Sequence, residues 1–167
     1  DGNCIADIDD CDVCGGDGTS CLANEFSLDD SGDGTLDVYY SSSVGIYGFQ
    51  FNVSGVSITA AEGGASDEGD WMVSTTSDTV LGFTLSLEAI PAGTGLLTSL
   101  SVDYTGAESC LTDIIVSDSV GGSAGDYSGT CVAYLTDCAG DPYGTAELDE
   151  CGVCGGDGIA DGACDCA

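Results

Sequence analysis

Not one of the 167 residues is Lys, Arg or His, while 30 are Asp or Glu, a formal charge of −30. No side-chain base exists to meet any of these carboxylates, and this limits both fold and function. Nucleic-acid binding relies on Lys or Arg to neutralise phosphates, and anionic membrane surfaces are bound through polybasic patches, so neither nucleic acid nor membrane insertion is expected. A His-based triad cannot be built. Schiff-base chemistry and a phosphate-binding P-loop lysine are also excluded, as are isopeptide cross-links from a side-chain amine. The chain is nevertheless no acidic tail. Hydrophobic residues make up 43%, Gly numbers 27 and Pro only 2, a balance that favours a packed core over disorder. Eleven Cys place the chain in an oxidising compartment, extracellular or at the cell surface. No basic, apolar leader opens at Asp1, so an export signal is expected to have been removed or to lie outside this sequence.

The ends repeat and the middle does not. Ala6-Asp7-Ile8-Asp9-Asp10-Cys11-Asp12-Val13-Cys14-Gly15-Gly16-Asp17-Gly18 recurs as Ala146-Glu147-Leu148-Asp149-Glu150-Cys151-Gly152-Val153-Cys154-Gly155-Gly156-Asp157-Gly158, with nine of thirteen positions identical. All but two of the cysteines lie in residues 1–21 and 137–167, which also hold nearly half of the acids. The chain therefore divides into an Asp/Cys-rich repeat over 1–22, a domain over 23–136 and a second repeat over 137–167.

The middle domain reads as all-β. Tyr47, Phe49, Phe51 and Val53 alternate with Gly48, Gln50 and Asn52, the period of two of a strand with one face inward. Strands are expected near Glu25–Leu28, Leu36–Ser41, Ile46–Val53, Val56–Ala60, Trp71–Thr75, Val80–Leu85, Leu96–Tyr104, Ile114–Ser117 and Thr130–Leu135. Gly, Ser and Asp clusters separate them, and no segment sustains a helical apolar period. About nine short strands point to a β-sandwich or jelly roll.

Three segments in order, Gly48-Phe49-Gln50-Phe51-Asn52-Val53, Val80-Leu81-Gly82-Phe83-Thr84-Leu85 and Ile90-Pro91-Ala92-Gly93-Thr94-Gly95-Leu96-Leu97-Thr98-Ser99-Leu100, give residues 24–135 a resemblance to cohesin-like sandwiches. Those domains are related to bacterial carbohydrate-binding modules. The resemblance implies a nine-stranded jelly roll made for contact with protein or glycan rather than for chemistry. The flanking segments, clearest in Asp149-Glu150-Cys151-Gly152-Val153-Cys154-Gly155-Gly156-Asp157-Gly158, resemble thrombospondin type 3-like linkers of secreted bacterial proteins, which are disulfide-stapled and calcium-loaded. The first copy departs at Asp12, where the second has Gly152, a change in the implied ligand set.

Calcium takes six to eight oxygen ligands. Asp7, Asp9, Asp10, Asp12 and Asp17 crowd one repeat, and Glu147, Asp149, Glu150, Asp157 and Asp161 the other. Calcium is therefore the expected cofactor, the alternative being solvated surface acids. Asp29-Asp30-Ser31-Gly32-Asp33-Gly34 starts like an EF-hand loop, but Tyr40 stands where the closing Glu would be, so it reads as a turn. Nearest-neighbour pairing of the cysteines gives Cys4–Cys11, Cys14–Cys21, Cys110–Cys131, Cys138–Cys151 and Cys154–Cys164, although sequence alone does not determine connectivity. Zinc on Cys151, Cys154, Cys164 and Cys166 is the rival. Cys166 is left over and would bond a following repeat or a neighbouring subunit. Asn52-Val53-Ser54 is a glycosylation sequon. Trp71, the single Trp, reads as a core or edge plug before a sugar platform.

No pair of acids is marked for catalysis, so the chain is not expected to be an enzyme. The leading expectation is an extracellular structural unit. In it, copies join head to tail into a filament or surface adhesin through calcium- and disulfide-stiffened linkers. The alternative is a cohesin-like or carbohydrate-binding module of a larger secreted protein, with glycans as further partners.

Overall fold

A computed structural model describes residues 7–86 and 88–159. Ten strands and a single turn of 3-10 helix, Gly64–Asp67, follow one another. They are β1 (Glu25–Asp30), β2 (Thr35–Ser42), β3 (Gly48–Val53), β4 (Val56–Glu62), β5 (Trp71–Thr75), β6 (Thr79–Thr84), β7 (Gly93–Tyr104), β8 (Glu108–Ser117), β9 (Ser128–Gly129) and β10 (Cys131–Ala133). They form two five-stranded sheets, β4-β7-β2-β1-β9 and β10-β8-β3-β6-β5. Every pairing is antiparallel except β1 with β9.

Alternation explains the core. Phe49, Phe51 and Val53 of β3 point inward and are at most 2% exposed, meeting Phe26 of β1 and Leu36 and Val38 of β2. The rings are arranged for quadrupole attraction as well as area. Phe26 stands edge-on to Phe51 at 5.9 Å, and Phe49 stacks on Trp71 at 5.7 Å, geometries that add about 0.5–1.5 kcal/mol each beyond burial. Gly82 faces Phe49 across the β3–β6 pair, and a Cβ there would run into the Phe49 ring. The Gly inside strand β6 therefore makes room for a large aromatic on β3.

Within the segment expected as a strand, Thr130–Leu135, the strand is Cys131–Ala133, and a short strand that was not expected, Ser128–Gly129, precedes it in the other sheet. Ser128–Gly129 joins one sheet beside β1, and Cys131–Ala133 joins the other beside β8. Thr130 is the crossing point. Its N–H donates to Phe26 O, its carbonyl accepts from Leu111 N–H, and its hydroxyl accepts from Leu28 N–H at 3.0 Å. Gly129 is needed at the step between the sheets, because a Cβ would overlap the Leu111 carbonyl.

Candidate functional site

The repeats are turns organised around one carboxylate. Asp9 Oδ1 accepts the N–H groups of Cys11 (2.9 Å) and Val13 (2.8 Å), and Oδ2 accepts that of Gly18 (2.8 Å). Asp149 repeats the arrangement with Cys151 (2.9 Å), Val153 (2.8 Å) and Gly158 (3.1 Å). Backbone bonds close both turns in the same way, Gly15 N–H to Asp7 O and Gly155 N–H to Glu147 O. In a chain without bases, backbone N–H dipoles neutralise the half-buried charge. They hold both carboxyls below their ordinary value of 3.8, the Val13 N–H contributing most at Asp9 and the Val153 N–H most at Asp149.

A third turn of this kind went unseen in the sequence. Asp137 accepts Ala139 (2.9 Å) and Asp141 (3.0 Å) on Oδ1 and Ala146 (2.9 Å) on Oδ2. The offsets of two, four and nine residues are those of Asp9 and Asp149. Its signal was present: Gly140 stands three residues after the Asp, as Gly152 does, and Gly144 seven after, as Gly16 and Gly156 do. At the +7 position a Cβ would overlap the carboxylate in all three turns. The +3 position needs a left-handed backbone, with φ of 61° at Asp12, 89° at Gly140 and 76° at Gly152. The Asp12 departure is thus a turn position, and Asp tolerates that conformation better than most residues.

The acids named above as calcium ligands are spread around these turns. Asp17 is taken up by the Thr19 hydroxyl (2.7 Å) and N–H (3.1 Å), the hydroxyl first among the causes that lower its pKa. Asp7, Asp10, Asp12, Glu147, Glu150 and Asp157 are exposed, and Asp161 lies outside the described residues. Among the described residues no three His, Cys, Asp or Glu side chains gather as a metal centre. The EF-hand-like stretch is the β1–β2 turn, with Asp30 capping Gly32 N–H (3.2 Å) and Asp33 capping Thr35 N–H (3.1 Å).

Disulfide connectivity corrects the nearest-neighbour scheme. Cys11 bonds Cys21, in place of Cys4–Cys11 and Cys14–Cys21, and Cys138 bonds Cys154, in place of Cys138–Cys151 and Cys154–Cys164. Cys110 bonds Cys131, tying β8 to β10. The reason is the turn itself. Cys154 sits on its returning arm, bridged to Leu148, and reaches back to the preceding Asp137 turn. Cys14 and Cys151 are disulfide-bonded as well. Cys151 and Cys154 are therefore not thiolate ligands, which removes the zinc reading. Cys4, Cys164 and Cys166 lie outside the described residues.

At the +6 position the Asp137 turn carries Tyr143 where its relatives carry Gly. The equivalent Gly15 and Gly155 have φ of 69° and 63°, and Tyr143 is held at 52° in the same left-handed region. Its ring packs on Tyr104 (5.4 Å) and Tyr134 (6.1 Å), and its hydroxyl donates to Asp30 Oδ2. Tyr104 donates to Asp30 Oδ1 at 2.6 Å. One carboxylate thus clasps the C-terminal repeat to the sandwich. The bond to Asp30 and burial push the Tyr143 phenol up to about 12.

The two outer sheet faces contrast. On the β4-β7-β2-β1-β9 sheet the outward residues include Asp29, Asp37, Ser57, Ser99, Ser101 and Asp103, with Tyr39 and Leu96 at one end. On the other sheet, the register puts Met72, Phe83, Gly48 and Ser117 in one outward row and Ser74, Leu81, Gln50 and Ile115 in the next. Met72, Leu81 and Ile115 are 52%, 41% and 58% exposed. Leu81 and Ile115, with Phe83, line a shallow depression of about 160 Å³ floored by Gly48. A Cβ on Gly48 would come 2.6 Å from Ser117 Oγ, so Gly keeps the depression open. Asn52, at the end of this face, donates through Nδ2 to Asp113 Oδ2 at 3.0 Å.

Two solved structures to which the chain is similar are cohesins or contain one. One is a non-cellulosomal cohesin from the hyperthermophilic archaeon Archaeoglobus fulgidus, 12% identical, over 68% of this chain and 85% of that one with a TM-score of 0.47. The other is a complex of CaCohA2 with a point variant of CaDoc0917 at pH 5.5, 18% identical, over 67% and 98% with a TM-score of 0.44. No protein-family model and no curated protein matches the chain.

Proposed function

We propose that the sandwich is a non-catalytic binding module of a larger secreted protein, docking a partner protein on the outer face of β8-β3-β6-β5. One observation carries the reading. In a surface dominated by Ser and Asp, Leu81, Phe83 and Ile115 line the depression over Gly48 and Met72 pairs with Phe83 beside it, and a contiguous apolar patch of this kind marks an interaction site. The disulfides support export to an oxidising environment. The Asp-centred turns serve as stiff, stapled joints between such modules.

The head-to-tail filament has one observation in its favour. Both terminal repeats expose the same apolar pair, Ile8 with Val13 (60% and 42%) and Leu148 with Val153 (63% and 55%). Against it, two chains of charge −30 repel unless salt or calcium screens them. Calcium, if the repeats take it up, is held by the acids the turns leave free. The test is retention of a partner by the immobilised, oxidised chain. Leu81→Asp with Ile115→Asp is expected to abolish retention at unchanged melting temperature, whereas Asp29→Asn with Asp103→Asn on the opposite face is expected to leave it. Equal retention by both variants overturns the docking face. Sedimentation showing salt-dependent assembly that the Leu81/Ile115 variant leaves intact would favour the filament.

A further inference from the structure

Beside the docking face, the edge strand β5 carries a cleft of different chemistry. A cavity of about 460 Å³ is lined by Ala65, Glu68, Trp71, Glu88, Ile90 and Pro91, and a second depression runs on from Trp71 past Asp70, Met72 and Leu85. Phe49 covers one face of the half-buried Trp71 ring at 5.7 Å and 23°, leaving the rest of the indole to the cleft. Glu68 of the lining also acts on the buried Tyr40 of β2, 7% exposed, whose phenol is raised by burial first and by the Glu68 charge second.

Apart from the Trp71 indole N–H, the side-chain polar groups that line the main cavity are the carboxylates of Glu68 and Glu88, acceptors only, and a ligand that meets them must bring donors. An anion is excluded. Glu68 and Glu88 line the cavity and Asp70 its continuation, and a chain with no Lys, Arg or His contains no side-chain cation to neutralise them. A cation from another molecule does so, whereas a neutral polyol does not. A planar guanidinium also stacks on an indole and forks toward carboxylates, which a compact ammonium does less well. We propose that the Trp71 cleft binds the guanidinium of an arginine side chain presented by a partner protein. That a protein supplies the arginine rests on the docking reading above; binding of the side chain itself does not.

Trp71 is the single Trp, so intrinsic fluorescence reports on the site directly. The intact, oxidised chain is titrated with N-acetyl-L-argininamide and, separately, with methyl β-D-glucopyranoside. Argininamide is expected to give a saturable change, weakened about tenfold or more in Glu68→Gln/Glu88→Gln by the loss of charge-assisted bonds. Asp29→Asn/Asp103→Asn, which removes the same charge from the opposite face, is expected to stay within about twofold, since screening confines distant charges. Absence of saturation, equal weakening in both double variants, or a response to the glycoside alone overturns the proposal. The Leu81→Asp/Ile115→Asp variant separates the two readings: it is expected to bind argininamide normally. If it retains the partner as well, the docking face fails while the arginine cleft stands.

Discussion

Tyr143 occupies a left-handed position that its two relatives give to Gly, so replacing it tests whether the residue holds the joint or is merely tolerated. Left-handed backbone costs a residue with a side chain roughly 1–2 kcal/mol relative to Gly. A hydrogen bond to a charged group contributes about 1.5–3 kcal/mol when buried. Tyr143 is 36% exposed, and solvent screening reduces that bond to about 1 kcal/mol. Its ring contacts with Tyr104 and Tyr134 add about 0.5–1.5 kcal/mol each. Tyr143→Phe loses the bond and keeps both strain and ring, a cost of about 1 kcal/mol. Tyr143→Gly loses bond and ring but relieves the strain, a net cost of about 0–3 kcal/mol centred on roughly 1.5. In a chain of 167 residues about 1 kcal/mol lowers the melting temperature by roughly 2–4 °C. Thermal melts of the oxidised chain are therefore expected to place the two variants within a few degrees of each other, both below wild type. Hydrogen exchange at Gly32 and Ala146 should separate them, with faster exchange in Tyr143→Gly because the repeat is then undocked. A Gly variant as stable as wild type, with unchanged exchange, would refute the clasp.

Three further outcomes follow from the same geometry. Gly82→Ala pushes a methyl into the Phe49 ring and is expected to cost about 1–3 kcal/mol by overpacking, measured by denaturant unfolding; a neutral effect would mean that β3 and β6 are not registered as described. On the pH axis, the lowered carboxyls of Asp9, Asp137 and Asp149 contribute stability that is complete above 3.8 and lost as pH falls through their depressed folded values. The raised Tyr143 phenol contributes stability that is complete below 10 and lost as pH rises toward about 12. Amide exchange at Gly18, Ala146 and Gly158 across the acid limb checks the first, and a loss beginning near neutral pH would contradict it. For calcium, titration calorimetry is expected to show heat that disappears in Asp10→Asn/Asp12→Asn/Glu147→Gln/Glu150→Gln while Val153 stays protected; heat surviving in that variant would move the ligands elsewhere.

The sandwich was legible because each strand is short, amphipathic and bounded by Gly or Asp, so the period of two shows without tertiary knowledge. Phe49, Phe51 and Val53 illustrate this. The short strand Ser128–Gly129, ahead of the expected Thr130–Leu135, was not legible because changing sheets is a tertiary event: Thr130 has no local mark of a crossing, only its bonds to Phe26, Leu28 and Leu111. The Asp137 turn was hidden by its cysteine. Copies at Asp9 and Asp149 place Cys two and five residues after the Asp, whereas Asp137 has Cys one residue after and Pro142 five after. A search keyed to Asp with Gly at +7, the position that contacts the carboxylate, finds all three. Proximity in sequence found Cys110–Cys131 within the sandwich but misled in the repeats, where Cys138–Cys154 joins two successive turns. The docking face needed the register of β5, β6, β3 and β8 before Met72, Leu81 and Ile115, scattered over 44 positions, came together.

The missing bases connect these features. An ordinary domain stabilises its partly buried carboxylates with Lys or Arg, bringing flexible side chains and salt-sensitive pairs. Here carboxylates, partly buried and exposed alike, are met by hydrogen-bond donors of the backbone and of neutral side chains instead. Backbone N–H groups serve Asp9, Asp118, Asp137 and Asp149; hydroxyls serve Asp17, Asp30 and Asp37; an amide serves Asp113. Such bonds require the backbone to curl around the carboxylate, which is why Gly recurs at fixed offsets and why the turns are stapled. Charge that is spent in this way is local and structural. Charge left over, as at Glu68, Asp70 and Glu88 beside Trp71, has no side-chain cation in the chain to neutralise it. Any cation that relieves it comes from a second molecule, so the composition that argues against a nucleic-acid partner is the one on which the proposed basic partner rests.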